Sequence, residues 1–169
     1  MIRPAMLVVC SGLLVGMSCP GAGPTLTCAN QLDGSAFGFT LTVPDGFTCV
    51  PASPLQALLV LARVTYSQDS TGIAVSIAVS QPQAGNSGGN LAGVTVEDQP
   101  NQTNTAGIEF QVQKLTLDLG AAGMQTSRSG GATLPGGNNL IITVSADTDL
   151  PALATTLSTI IESVTFTGS

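Results

Sequence analysis

Alternation of apolar and polar side chains predicts β-strands along most of the chain. Residues 36–43 carry an apolar side chain at every second position from Phe37, and residues 73–80 do the same from Ile73. A period of two is typical of a strand with one buried face. We interpret four further apolar or alternating segments as strands, at 58–66, 91–97, 108–117 and 139–146.

Turn-forming residues separate these segments. Residues 44–46, Pro-Asp-Gly, end the first strand. Residues 68–72 contain Asp, Ser and Gly and are expected to join segments 58–66 and 73–80 as a hairpin. The apolar stretch 54–62 also fits a short helix, because short apolar runs do not distinguish the two structures.

Three polar segments are predicted to lie outside regular structure. Residues 81–90 indicate a flexible loop, residues 100–105 a polar turn, and the Gly-, Ser- and Ala-rich residues 120–137 a mobile loop. Within 108–117 the apolar positions change phase at Leu115, which indicates a β-bulge.

An apolar stripe near the C-terminus predicts a helix. Pro151 suits its first turn, where a missing N–H costs nothing, and Asp147 or Asp149 is expected to cap its start. Residues 164–166 are expected to leave the helix as a short final strand. Apolar residues recur at intervals of three and four, at Leu150, Leu153, Leu157, Ile160, Ile161 and Val164.

Strands therefore dominate, and a helix closes the chain. Strands joined by local hairpins favour an α+β fold in which an antiparallel sheet is packed by the C-terminal helix. We place one α+β domain at residues 36–169, preceded by a spacer and N-terminal arm at 24–35. A chain of this length can bury one hydrophobic core.

The first residues have the pattern of a secretory signal. An early positive charge at Arg3 is followed by a short apolar run at 5–17 and by small residues at 18–23. The run is shorter than the roughly 20 residues that a membrane-spanning helix needs. We predict a signal peptide at 1–23 and an exported protein of a bacterial cell envelope, periplasm or cell surface.

The four cysteines have different expected fates. Cys10 lies inside the predicted signal, and Cys28 and Cys49 are expected to form a disulfide because exported proteins meet an oxidising compartment. Cys19 has two interpretations. In the first, the signal is cleaved just before Cys19 and the cysteine is lipidated, as in bacterial lipoproteins. In the second, cleavage a few residues downstream removes Cys19.

Low charge restricts the partners. Charged residues make up 8% of the chain, the net charge is −6, and four basic residues are present, including Arg3. Nucleic-acid binding and docking to anionic lipid both require clustered Lys and Arg. We therefore expect no nucleic-acid partner, and membrane attachment only through a lipid on Cys19.

Residues that common catalytic sites require are missing from the sequence. The chain has no His, which excludes Ser-His-Asp and Cys-His sites and the commonest metal ligand. It has no Trp and one Tyr, so aromatic stacking platforms are lacking. No glycine-rich phosphate motif is present. We predict no cofactor and no enzymatic activity.

Carboxylates supply the remaining candidates for chemistry. Asp147 and Asp149, with Asn138 and Asn139 nearby, have the oxygen ligands that Ca²⁺ prefers; the alternative is a turn that caps a helix. Glu97 and Asp98 fit an acid pair for hydrolysis or, alternatively, a solvated strand end.

Two further polar positions have functional interpretations. Arg128 fits a partner for a ligand carboxylate or a solvated loop charge. Asn101-Gln102-Thr103 matches the glycan-acceptor pattern, which applies only in a eukaryotic source.

Both ends of the domain resemble PsbP-like and DcrB-like domains. Residues 37–47 match their opening, in which an aromatic-rich strand runs into Val-Pro-x-Gly and an aromatic residue, with Phe47 in place of the usual Trp. Residues 153–166 are similar to their closing helix and its Ile-x-x-Ser exit. The resemblance implies an exported α/β sandwich, often a lipoprotein, with a curved antiparallel sheet and no common catalytic site. The mid-chain helix of those families is replaced by residues 81–90.

The leading hypothesis is an exported, envelope-associated, non-catalytic binding or accessory protein for an envelope protein or small ligand. A secreted hydrolase or calcium-binding domain using Asp147 and Asp149 is the second hypothesis. A structural surface protein is the third.

Overall fold

A computed structural model of the chain describes residues 26–50, 60–82 and 93–167. These residues form ten strands and one α-helix. In chain order the elements are β1 (Gln31–Gly34), β2 (Phe39–Thr42), β3 (Thr48–Val50), β4 (Val60–Gln68), β5 (Ile73–Ser80), β6 (Val94–Thr103), β7 (Glu109–Asp118), β8 (Met124–Thr133), β9 (Asn139–Ala146), α1 (Pro151–Ser163) and β10 (Thr165–Phe166).

The strands form two antiparallel sheets. The larger has the order β3-β4-β5-β9-β8-β7-β6, and the smaller has the order β1-β2-β10. The helix α1 packs on β8 and β9 of the larger sheet and on β2 of the smaller. This arrangement confirms the predicted α+β fold with a curved antiparallel sheet and a C-terminal helix.

The core lies between α1 and the side of the large sheet that faces it, which we call the inner face. Strand β5 supplies Ile73, Val75, Ile77 and Val79 to this face, all at most 2% exposed. The helix supplies four buried side chains to the same core, at Leu153, Leu157, Ile160 and Ile161. The period-two and helical patterns of the sequence therefore meet in one apolar layer.

A glycine allows α1 to approach the sheet closely. Gly130 of β8 lies under the helix, and a Cβ built there would be 2.8 Å from Ile161 Cδ1 and 3.6 Å from Leu157 Cδ1. Both side chains belong to the buried core, so neither can turn into solvent. The lack of a side chain at Gly130 thus sets the distance between helix and sheet.

A buried asparagine connects the β6–β7 turn to the end of α1. Asn104, 4% exposed, donates from Nδ2 to the carbonyl oxygens of Ile161 at 3.0 Å and Val164 at 2.9 Å. Its Oδ1 accepts from the backbone N–H groups of Ala106 at 3.1 Å and Ile108 at 3.0 Å. One side chain therefore satisfies helix-end carbonyls and a turn at once.

The N-terminal part of the described chain is fastened to the large sheet. Cys28 and Cys49 form the predicted disulfide. The hydroxyl of Tyr66, which is fully buried, donates to the carbonyl oxygen of Ala29 at 2.7 Å. Strand β1 lies within residues 24–35, the segment predicted as spacer and N-terminal arm, and pairs with β2.

The prediction of a mobile loop at 120–137 is wrong. Ten of these residues form β8, which hydrogen-bonds to β7 on one side and β9 on the other. Its sequence shows no apolar alternation because Thr126, Arg128, Gly130 and Ala132 occupy the inner face. Small side chains are required where α1 comes close, so packing overrides the turn-like composition.

The predicted strand 91–97 and turn 100–105 divide a strand that is continuous. Strand β6 runs through Pro100 to Thr103, and a register shift between Gln99 and Gln102 accommodates the proline. Pro is tolerated there because β6 is the last strand of the sheet and the position is irregular. The predicted bulge therefore lies on β6, whereas it was expected on the strand at 108–117.

Three local predictions also differ from the structure. Neither Asp147 nor Asp149 caps α1; Leu150 is the N-cap residue and no side chain bonds to the first turn. Residues 60–62 are part of β4, so a helix over 54–62 is wrong there, and residues 54–59 lie outside the described residues. A 3₁₀ turn at Ser35–Phe37 replaces the start of the predicted strand 36–43.

Other expectations agree with the structure where it can be compared. The 68–72 turn joins β4 and β5 as a hairpin, and β10 follows α1. Of the predicted loop 81–90, residues 83–90 lie outside the described residues. Within the part of the chain that the structure describes, no helix has the length and apolarity needed to cross a bilayer.

Candidate functional site

The side of the large sheet that points away from α1, which we call the outer face, carries uncharged polar side chains. Its central row runs across four neighbouring strands through Ser76, Thr143, Ser129 and Gln113. No helix among the described residues packs on this face. Strand alternation produces it directly, because each residue between two core positions points outward.

The outer face contains a hollow of about 690 Å³. This volume lies within the range of pockets that bind small molecules, roughly 300–1,000 Å³. Of the described residues, Glu109 is the one charged residue that lines it. Its polar lining comes mainly from Ser80, Gln111, Gln113, Ser129, Thr133 and Asn139.

Gly131 keeps the hollow open. It follows Gly130 in β8 and therefore points to the opposite face of the sheet. A Cβ built on Gly131 would meet no atom closer than the Leu140 carbonyl oxygen at 4.0 Å. The two adjacent glycines thus have different roles, since one admits the helix and the other leaves space above the outer face.

Among the described residues, the hollow offers hydrogen-bonding groups, and none of its hydroxyls is paired with a carboxylate. Ser129 Oγ lies 3.0 Å from Thr143 Oγ1, and Thr133 Oγ1 donates to Asn139 Oδ1 at 3.4 Å. No hydroxyl that lines the hollow bonds to a carboxylate in the described residues. The arrangement fits recognition, because covalent catalysis by a hydroxyl requires an adjacent base.

A charged cluster lies on the inner face near the start of α1. Lys114 of β7 and Arg128 of β8 are direct cross-strand partners, and we call them the cation pair. Lys114 Nζ donates to Asp149 Oδ2 at 2.6 Å. This bond, together with the positive charges of Lys114 and Arg128, lowers the pKa of the Asp149 carboxyl. Arg128 lies in a strand, so its interpretation as a solvated loop charge is wrong.

The predicted calcium ligands are not assembled as a cation site. Asp149 is bound by Lys114, and the side chain of Asp147 makes no hydrogen bond within the part of the chain that the structure describes. Asn139 lies at the far end of β9, in the lining of the hollow. Within the described residues no group of three or more His, Cys, Asp or Glu side chains could hold a metal ion.

Glu97 and Asp98 do not form an acid pair. They are consecutive residues of β6, so their side chains point to opposite faces of the sheet. Asp98 Oδ1 accepts from Gln113 Nε2 at 2.9 Å on the outer face, whereas Glu97 lies opposite Lys114. Two carboxylates so placed cannot act on the two sides of one glycosidic bond.

The remaining predicted positions have structural surroundings or lie outside the description. Asn101 Nδ2 donates to Glu109 Oε1 at 2.7 Å on the β6–β7 hairpin. Cys19 lies outside the described residues. Sequence reasoning did not find the hollow or the cation pair, because both depend on the register of strand pairs. In β7, Gln111, Gln113 and Leu115 occupy alternate positions and therefore share one face of the sheet, and this spacing was the only signal of the outer face in the local sequence.

Comparison by sequence identifies no relative. No known family matches the chain, and no curated protein matches it. The fold, in contrast, occurs in several solved structures. A point mutant of the protein Mog1 covers 82% of this chain and 96% of its own, at 11% identity and a TM-score of 0.56.

Two further structures have the same fold. The Ran-binding protein Mog1p of Saccharomyces cerevisiae covers 80% of this chain and 94% of its own, with 12% identity and a TM-score of 0.54. The solution structure of cyanobacterial PsbP (CyanoP) from Synechocystis sp. PCC 6803 covers 89% of this chain and 98% of its own, with 12% identity and a TM-score of 0.54. The chain therefore has a PsbP-like fold, as the resemblance implied; at these identities the likeness concerns the fold alone.

Proposed function

We propose that this chain is an exported, non-catalytic binding protein that recognises a protein partner through the hollow on its outer face. The hollow is the observation that carries the proposal. It combines space for a ligand with hydrogen-bonding side chains, and it lies on the side of the sheet that α1 leaves uncovered. Such sites bind by shape and hydrogen bonds.

The lining favours a protein segment over other ligands. Hydroxyl and amide side chains such as Gln111, Ser129 and Thr133 can bond to the main chain of a partner. The absence of Trp from the chain argues against sugars and bases, which are held by stacking. The similar fold of the Ran-binding protein Mog1p supports the proposal of a protein partner.

Export is the second part of the proposal. The signal-like pattern of residues 1–23 supports it. The Cys28–Cys49 disulfide also supports it, since such bonds persist mainly in oxidising compartments. Lipidation of Cys19 would tether the protein to the membrane, whereas cleavage after it would release the protein.

The intact mass of the protein from its native cell envelope tests export and tethering. Loss of the first residues with acyl chains on Cys19 is expected for the tethered form, and a lipid-free mature chain without Cys19 for the released form. A full-length chain that starts at Met1 and has reduced cysteines would refute export. Calcium titration of the same sample should leave its thermal unfolding unchanged; a stabilising shift would revive the role of Asp147 and Asp149.

Partner recognition is tested by a matched pair of variants on β8. Gly131→Gln places a side chain in the hollow without a backbone conflict, whereas Ser127→Gln adds the same side chain to the same face four residues away, about 13 Å along the strand. A photocrosslinker at Gln111 should give one defined adduct in the native envelope. Gly131→Gln should abolish the adduct, and Ser127→Gln should retain it. Equal adduct yields from both variants would refute recognition through the hollow.

A further inference from the structure

The cation pair is an unusual use of the few basic residues in this chain. The sequence has four Lys and Arg residues and a net charge of −6, yet Lys114 and Arg128 are placed directly opposite each other. Like charges in a cross-strand pair repel each other and destabilise the sheet. Arg63, on the outer face, shows the ordinary arrangement, in which Nε donates to Ser76 Oγ at 2.8 Å. The repulsion within the pair therefore needs a compensating anion.

Among the described residues, Asp149 forms a salt bridge with only one member of the pair, although its charge acts on both. Asp149 bonds to Lys114, and no salt bridge involves Arg128 in the described residues. Glu97, the other carboxylate near the pair, lies opposite Lys114 on the far side from Arg128 and makes no salt bridge with it. Within the described part of the chain, no carboxylate therefore bonds directly to the guanidinium of Arg128.

Arg128 also has an unsatisfied donor. Its Nε is shielded from solvent and has no hydrogen-bond partner among the residues that the structure describes, while Arg128 as a whole is partly exposed. A buried donor left unpaired costs about 1–3 kcal/mol, and an ion or water that bonds to it is one way in which that cost is relieved. A guanidinium offers parallel N–H groups that match the oxygens of a carboxylate or phosphate.

Asp149 occupies the position from which an incoming anion would approach Lys114. Its side chain is 43% exposed and that of Lys114 is 21% exposed, so the ion pair is open to exchange with solvent. Asp149 also precedes α1, which begins at Pro151 with no side chain capping its N-terminus. The helix dipole adds positive potential at this end and favours an anion there, although it does not define a site by itself.

We propose that Lys114 and Arg128 form a binding site for an oxyanion, a carboxylate or a phosphate-type group, in which Asp149 acts as an internal competitor. The ligand would engage the guanidinium of Arg128 and displace Asp149 from the ammonium of Lys114. This site lies on the face of the sheet opposite to the hollow and is independent of the proposed partner surface.

A structural tether is the alternative explanation of the same residues. In that case Lys114 holds the segment before α1 through Asp149, and removing the carboxylate only destabilises the protein. The two explanations differ for Asp149→Asn. A tether predicts no gain of binding, whereas an oxyanion site predicts tighter binding because the competitor is lost.

Titration calorimetry of the folded chain with inorganic phosphate, sulfate and acetate, at constant ionic strength, tests the proposal. We expect saturable binding of at least one probe, weakened about tenfold or more by Arg128→Gln, since a charged hydrogen bond contributes that much. Asp149→Asn should tighten binding about threefold or more. Arg63→Gln is the control for total charge and should leave the affinity unchanged.

The results separate the sources of the ligand and can overturn the site. Preference for phosphate and sulfate would identify a tetrahedral anion, and preference for acetate a carboxylate; both support the proposal. Absence of binding to both the unmodified protein and Asp149→Asn at roughly millimolar probe would refute it. Equal weakening by Arg63→Gln and Arg128→Gln would also refute it, because the effect would then reflect net charge. Far-ultraviolet circular dichroism of each variant confirms that the fold is retained.

Discussion

Removal of the buried Asn104 side chain should be among the most destabilising single changes at a polar position of the fold. The side chain is 4% exposed and makes four hydrogen bonds, two donated to carbonyls at the end of α1 and two accepted from the turn after β6. A hydrogen bond contributes about 1 kcal/mol net, and a buried group left unpaired costs more. For Asn104→Ala we expect a loss of about 3–4 kcal/mol, a large share of the 5–15 kcal/mol typical of a domain.

Asn104→Asp gives a sharper test, because it preserves size and changes two bonds. The bonds accepted from Ala106 and Ile108 remain, while an oxygen replaces the donor that faces the carbonyls of Ile161 and Val164. At neutral pH this places a buried charge against two partial negative charges. The variant should be at least as unstable as Asn104→Ala, and should regain stability in acid when the carboxyl is protonated.

Urea unfolding followed by far-ultraviolet circular dichroism, with the disulfide intact, measures these losses. The slope of the unfolding free energy against urea concentration should be similar for all variants, so that differences between their unfolding midpoints report differences in stability. Asn101→Ala is the control, because its one side-chain bond, to Glu109, is exposed, and it should cost at most about 1 kcal/mol. A loss below about 1 kcal/mol for Asn104→Ala, or an Asn104→Asp variant as stable as the unmodified chain, would refute the reasoning.

Three other measurements test separate parts of the structure. Gly130→Ala should lower the unfolding midpoint because the added Cβ would lie 2.8 Å from a buried methyl group. Gly131→Ala should raise the stability by about 0.4–1 kcal/mol, because no atom lies closer than 4.0 Å to the added Cβ. Equal effects of the two variants would contradict the close packing at Gly130. Burial raises the pKa of Tyr66, the single tyrosine. An absorbance titration of the folded chain should therefore show a midpoint above the ordinary tyrosine pKa of about 10, and in urea the midpoint should return to that value. The stability of the fold should be lost as pH rises through the raised pKa. Because the pKa of Asp149 is lowered, the carboxylate contributes to the stability of the fold above pH 3.8, and this contribution is lost as pH falls through the lowered pKa. The thermal unfolding midpoint of Asp149→Asn should therefore fall less in acid than that of the unmodified chain. Equal falls would contradict the ion pair.

Elements with a strong apolar period were predictable from the sequence. Strand β5 and helix α1 combine the expected period with buried positions, and the structure places both close to where the sequence predicts them. The Cys28–Cys49 disulfide followed from pairing the cysteines of the predicted mature chain. These features depend on neighbouring residues or on simple counting, which a single sequence contains.

Strand β8 could not be predicted because its sequence is determined by contacts distant in the chain. Gly130 must be small because Ile161 lies above it, thirty-one positions later. The residues between the inner positions lie on the outer face, where Ser129, Gly131 and Thr133 line the hollow, so neither face shows an apolar period. A strand of this kind has the composition of a loop, although it forms the centre of the sheet with β7 and β9.

The sequence singled out Arg128 and Asp149 one by one, but it could not predict which residues assemble into the candidate sites, for a related reason. Lys114 and Arg128 are fourteen positions apart and become neighbours only through the β7–β8 register. That register also places Gln113 on the outer face beside Ser129, one residue from each member of the cation pair. A shift by one residue would exchange the two faces and destroy both surfaces together. The turn at 119–123, which fixes this register, is therefore as important to the proposed functions as the residues that would contact a ligand.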